Sequence, residues 1–260
     1  MSSASRTPHV RRSNLALVID RLRRFGPSTR SQLVASTGLT RSAIAGLVGE
    51  LESLRLVIEE PSGSDGRPGR PSPSVRIDDR AVTALAIEIF VDEVAVAVVG
   101  LDGTVAPSVR VERPRSRVTV DETLGDVARL VERVATVAQR GGEPELIGCG
   151  VSVPGLVRGA DGVVLTAPNL GWGDVPLGSL IQSMLEPVVG QLEVRIGNDA
   201  DLGALAESRF GAGAGSDHML FVSGEVGVGG GLIVGGVPVV GHLGFAGEIG
   251  HVPVNPHGRP

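Results

Sequence analysis

Lysine and tyrosine are absent from this 260-residue chain, and cysteine and tryptophan occur once each. Without lysine there is neither a P-loop lysine nor Schiff-base chemistry. Aromatic residues make up only 2% of the chain, which excludes a stacking platform for single-stranded nucleic acid. One cysteine cannot close an internal disulfide. Cys149 sits in the apolar run LIGCGVSV and reads as a small buried hydrophobe. The N-terminal segment lacks the apolar core of a secretory signal, and no apolar run is long and clean enough to cross a bilayer. A soluble cytoplasmic protein with no membrane partner is expected. Its length permits a large core and more than one domain.

What is present is unevenly distributed. Residues 1–80 hold 13 of the 24 arginines and 8 of the 29 acids, about +5; the remaining 11 arginines and 21 acids leave residues 81–260 at −10. A basic head on an acidic body points to a nucleic-acid module joined to something else. Residues 1–13 show no apolar period and read as a disordered basic tail. From residue 14 to residue 80 the pattern is that of a winged helix-turn-helix. Leu15, Val18, Ile19 and Leu22 recur at helical spacing up to Gly26-Pro27. A second helix fits Arg30–Thr37, and Thr37-Gly38-Leu39 forms a turn. Thr40 is suited to cap a third helix striped by Ile44, Leu47, Val48, Leu51 and Leu54. The start of such a helix reads base edges and phosphates, which nominates Arg30, Thr40, Arg41 and Ser42 as contacts to a double-stranded DNA operator. Leu56–Glu60 and Val75–Ile77 read as the strands of a wing. Its Gly- and Pro-rich loop would bring Arg67 and Arg70 to a minor groove.

From residue 81 to residue 260 the chain alternates apolar strands with helical segments, as an α/β domain does. Ala84–Val99 reads as two strands, Asp121–Arg140 as a helix and Glu145–Val153 as a buried strand. Asn198 and Asp199 follow the short strand Val194–Gly197. They suit hydrogen bonding to adjacent hydroxyls, and equally a helix N-cap. The glycine-rich run Gly224–Gly236 fits either a phosphate cradle or a tight hairpin. Gly241–His251, GHLGFAGEIGH, sets Glu248 and His251 among glycines. Trp172 fits a pocket wall or the core.

Taken in order, VSVPGLV at 151–157, GNDAD at 197–201, GVGGGLI at 227–233 and GFAGEIGH at 244–251 resemble the ROK family of sugar-responsive repressors and sugar kinases. The helix-turn-helix matches its repressor branch. The resemblance implies an N-terminal winged helix followed by an actin-like ATPase domain of ribonuclease-H-like lobes, the second lobe incomplete at Pro260. It further implies that Asn198, Asp199, Glu248 and His251 hold the hydroxyls of a sugar or sugar phosphate, with Asp199 at the position of the kinase base. Two departures bear on activity. The first phosphate loop falls on Glu88–Asp92, with Phe90 where a glycine would stand, and the second on Glu225–Gly227. The bulk of Phe90 at the first and negative charge at both disfavour phosphate, so a regulator without kinase activity is expected; the resemblance also implies a homo-oligomer. An ATP-dependent sugar kinase with an appended DNA-binding domain is the alternative. The family's zinc ligand falls on His251, whose cysteine partners do not occur in this sequence. No cofactor is therefore expected in this chain, and structural zinc only in a longer product.

Overall fold

A computed structural model of the chain describes residues 6–61, 72–78, 82–114, 118–138, 145–224, 226–242 and 244–252. The chain divides into two compact units. One comprises Met1–Thr83 with Gly100–Thr104, the other Ala84–Val99 with Val105–Pro260. The division falls close to the expected one at residues 80 and 81, except that the Gly100–Thr104 turn joins the first unit, where Leu101 packs on the core.

The first unit runs α1 (Arg6–Phe25), β1 (Ser28–Thr29), α2 (Arg30–Thr37), α3 (Arg41–Ser53), β2 (Val57–Glu60) and β3 (Ser74–Ile77). The expected disordered tail is corrected from Arg6 onward, because the first helix starts there rather than at residue 14. Its extra turns are held by Arg11, whose guanidinium meets the Glu50 carboxylate at 2.7 Å through Nε, and by Ser13 Oγ donating to His9 O. Composition alone could not show this, because the fixing partner lies on another helix. Thr29 caps α2 through a capping box with Gln32. Gly38 ends that helix in the left-handed region at φ 71°, a conformation that costs glycine little. Thr40 Oγ1 then accepts from Ala43 N and starts α3. Val18, Leu22, Leu33, Ile44, Leu47, Val48, Leu51, Val57, Val75 and Ile77 form one core. β2 and β3 pair antiparallel from Val57↔Ile77 to Glu60↔Ser74, and β1 adds a short third strand. The wing strands are thus present. Arg67 and Arg70 on its loop lie outside the described residues.

The second unit opens with β4 (Val82–Ile89), β5 (Glu93–Gly100), β6 (Val105–Glu112), α4 (Val120–Ala138) and β7 (Glu145–Val153). It continues through β8 (Leu156–Arg158), β9 (Val163–Ala167), β10 (Trp172–Val175), α5 (Leu177–Val189), β11 (Val194–Asn198) and α6 (Asp199–Phe210). β12 (His218–Gly224), β13 (Val228–Val234) and β14 (Val237–Pro238) follow, and Ile249–His251 is a 3₁₀ turn. The principal sheet has strand order β11-β7-β4-β5-β6, with β11 parallel to β7. Smaller antiparallel sheets are formed by β8–β10 and β12–β14. The apolar strands Val82–Gly100 and Glu145–Val153 bury against Val127, Leu130, Val131 and Val134 of α4 and Ile181 and Leu185 of α5. Trp172 belongs to this core, and its Nε1 donates to Val118 O at 3.1 Å. A buried indole N–H needs such a partner. Cys149 is buried in β7, and burial pushes its thiol up to about 12, as expected of an inert packing residue.

Candidate functional site

In the first unit the polar residues nominated for DNA take different positions. Arg41 and Ser42 are exposed at the start of α3. Thr40 Oγ1 serves the cap and lies 3.1 Å from Ser42 Oγ. The core side of α3 is lined by Ile44, Leu47, Val48 and Leu51. Ser42, Gly46, Gly49 and Ser53 are all exposed, and at 3.6 residues per turn they form the ridge opposite that core. Arg41, exposed one residue before this ridge begins, is the long side chain at the start of α3. Arg30 stands differently. Its guanidinium is engaged with Glu59 through Nε at 2.7 Å and Nη2 at 3.1 Å, and Glu52 lies 3.9 Å away. Nε and Nη2 of the fork expected to meet DNA are engaged by a carboxylate in this structure.

In the second unit the expected ligand residues converge from three segments. β11 carries Asn198 to the sheet end, opposite Val153 of β7. The Asn198 amide is occupied by the fold. Its Oδ1 accepts from Ala200 N at 2.9 Å and Asp201 N at 3.1 Å, capping α6, and its Nδ2 donates to Gly155 O at 2.9 Å. The cap and the tie to the Val153–Gly155 turn engage its oxygen and one amide N–H, and the Asn198 side chain also hydrogen-bonds to Asp199. Asp199 Oδ1 accepts from Ala200 N at 2.9 Å. Burial pushes the Asp199 carboxyl up. The backbone amides of Ala200 and Asp199 and the Asn198 side chain pull it back, and the Glu248 charge raises it further. Asp201 was not nominated, yet it is the most perturbed acid here. Burial first, then the charges of Glu248 and Asp199, push it up to about 6. The sequence signal was its place two residues beyond Asp199, in the first turn of the same helix. Asp199, Asp201 and Glu248 thus gather where α6 begins, and the positive end of a helix dipole suits such charges.

His251 is separated from Asp199 in character. Its side chain is 86% exposed, with Nε2 3.8 Å from Glu248 Oε2. Among the described residues no group of three or more His, Cys, Asp or Glu side chains is arranged to hold a metal ion. Zinc takes four ligands in a structural site, so the described donors around His251 do not fit it.

The first phosphate-loop position is a closed turn. Phe90 N donates to Glu93 O at 2.8 Å between β4 and β5. Arg113, with only 6% of its side chain exposed, donates through Nη2 to Phe90 O at 2.9 Å and through Nη1 to Thr123 Oγ1 at 2.8 Å. Its backbone N–H donates to Asp92 O at 2.7 Å. Of the main-chain N–H groups of this turn, that of Phe90 is committed to Glu93 O, and the carbonyls of Phe90 and Asp92 hold Arg113. At the second position Glu225 lies outside the described residues. The flanking Gly224 and Val228 face each other across the β12–β13 hairpin.

Comparison with known proteins follows the same division. Residues 16–68 match the model of the MarR family, and residues 84–260 match that of the ROK family. A xylose repressor of Bacillus spizizenii is 28% identical over 251 residues, 96% of this chain and 62% of its own length. A glucokinase of Halalkalibacterium halodurans is 40% identical, but over 114 residues, 44% of this chain. The crystal structure of a ROK family transcriptional regulator, a homolog of the E. coli MLC protein, superposes with a TM-score of 0.74 at 23% identity. That match covers 96% of this chain and 61% of the regulator, and it establishes the fold. The chain therefore spans roughly three fifths of the length of the regulators it matches. A family model covering most of the second unit, with its motifs in order, places the protein: the chain belongs to the ROK family.

Proposed function

We propose that this chain is a sugar-responsive, DNA-binding transcriptional regulator, a repressor of carbohydrate-metabolism genes without kinase activity. The observation that carries the reading is one of juxtaposition in sequence. A helix-turn-helix with an exposed Arg41 on its reading helix precedes a unit in which Asn198, Asp199 and Glu248 gather at one helix start. Carboxylates held at fixed spacing accept hydrogen bonds from adjacent hydroxyls, the chemistry that recognises a pyranose. The alignment with xylose repressors over nearly the whole chain supports the same reading. A homodimer would present two reading helices to operator half-sites. Sugar would act by binding the DNA-free state more tightly than the DNA-bound one. The protein would work in the cytoplasm, where its operator is.

Gel-shift selection from sheared genomic DNA, followed by titration of the selected fragment with D-xylose and D-glucose, tests the proposal. Release of the fragment by one sugar is expected. Selection of a fragment whose binding no sugar changes would remove the switch.

One observation favours a second reading. Asp199 is half-buried with a raised pKa, as suits a base, and the glucokinase alignment includes 40% identity over its span. The braced turn at Phe90 stands against it, since phosphoryl transfer depends on holding the donor phosphates. Calorimetric titration with ATP separates the readings: saturable heat would favour the kinase.

A further inference from the structure

The three glycines Gly229–Gly231 of β13 belong to a motif whose glycines invite a phosphate-cradle reading, but the fold uses them otherwise. Their backbone is paired with Ser223, Val222 and Phe221 of β12. A Cβ placed on Gly231 would lie 2.5 Å from Ala204 Cβ and 2.6 Å from Ala200 O, both on α6. A Cβ placed on Gly230 would lie 2.5 Å from Ile249 Cγ1 and 2.7 Å from Gly247 O. Successive strand residues face opposite sides. α6 and the Gly247–Ile249 segment therefore press on the two faces of this glycine stretch. α6 opens with Asp199 and Asp201, and Glu248 lies within the other segment.

We infer that Gly230 and Gly231 are positioning residues of the acid site: the glycine stretch of β13 lets α6 and the Glu248 segment approach closely enough to serve one ligand. The inference rests on the reading of Asp199 and Glu248 as ligand-holding groups. The neighbours at each glycine include a main-chain carbonyl, which cannot rotate away from a methyl group as a long side chain can. A methyl on Gly230 displaces the segment that carries Glu248. A methyl on Gly231 displaces the first turn of α6. Either shift widens the site and lengthens the hydrogen bonds it can make to a ligand, which weaken steeply outside their normal geometry. The charge coupling of Glu248 to both Asp199 and Asp201 agrees with close approach.

The test is calorimetric titration of the full chain with D-xylose and D-glucose, in the wild type and in Gly230→Ala, Ile249→Ala and the double variant. Gly230→Ala is expected to weaken sugar binding at least tenfold with its circular dichroism and operator affinity unchanged. Ile249→Ala in that background removes the side chain nearest the added methyl and is expected to restore part of the affinity. Sugar affinity unchanged in a folded Gly230→Ala overturns the inference while the ligand reading stands. A wild type that binds neither sugar removes the ligand reading, and the inference with it. Should Gly230→Ala fail to fold, Ile249→Ala alone decides: it adds no clash and only loosens the segment. A severalfold loss supports the inference and undiminished affinity overturns it.

Discussion

The two units solve the same problem, holding polar groups where a partner can reach them, over very different stretches of chain. In the first, Thr40, Arg41 and Ser42 are sequence neighbours, and one helix start presents them all. In the second, the acid site draws on the Gly155 turn, the end of β11, the first turn of α6 and the Glu248 segment. Its Asn198–Gly155 bond alone spans 43 residues. The local arrangement needs only a cap and an apolar stripe beneath it. The distributed one needs a sheet end, a braced turn and a glycine strand thin enough to pass between two elements. The first should therefore tolerate changes outside its own core, and the second should register small displacements far from the ligand.

The largest expected effect would break the comparison at its base. Ile44 is fully buried in the first unit's core and is no member of the second unit's core. Ile44→Ala should cost about 2–5 kcal/mol of that unit's stability and abolish operator binding, with sugar binding by the second unit retained. Urea unfolding followed by circular dichroism, paired with sugar calorimetry, checks this; simultaneous loss of both functions would mean the units do not fold independently.

A smaller effect sharpens the contrast within the first unit. Arg41→Ala should weaken operator binding by about 1–3 kcal/mol, roughly five- to 150-fold, without changing the melting temperature. Arg30→Ala should do the reverse. It removes a partly exposed pair with Glu59 worth about 0–1 kcal/mol, with little change in operator affinity. Fluorescence anisotropy and thermal melts on the two variants distinguish a DNA contact from an internal clasp.

The last effect is electrostatic and belongs to the second unit. The Asp201 carboxyl titrates at about 6 in the fold against 3.8 without its surroundings. Between these values the folded chain holds a proton that the unfolded chain has released, so this group makes stability fall as pH rises through that window. Asp201→Asn should flatten this part of the stability–pH profile, measured as melting temperature from pH 4 to pH 7. An unchanged slope would mean that the perturbation lies elsewhere in the cluster.

Much of the fold was legible because its signals are periodic. The apolar stripe of α3, the hairpin of Val82–Gly100 and the buried strand Glu145–Val153 appear where the pattern puts them. The first helix was misread at its start, since Arg6–Ser13 has no apolar period and its ion pair to Glu50 is a tertiary contact. Asn198 left two readings open, and both its oxygen and one amide N–H proved to serve the fold. Arg30 was nominated as a DNA contact with no view of Glu59, which comes to it from β2, 29 residues away.

Residue identity and spacing alone determined that this chain joins a helix-turn-helix to a ROK-type α/β unit, and that its first phosphate loop carries Phe90 where glycine would stand. Those are properties of order along the chain, readable from caps, periods and motifs. Which acid Arg30 meets, which carboxyl is perturbed and what packs on the glycines were decided only by the tertiary structure. Each depends on what lies within a few ångströms of the group, and at Arg30, Asp201 and Gly230 neighbours from distant parts of the chain, Glu59, Glu248 and Ile249, contribute decisively.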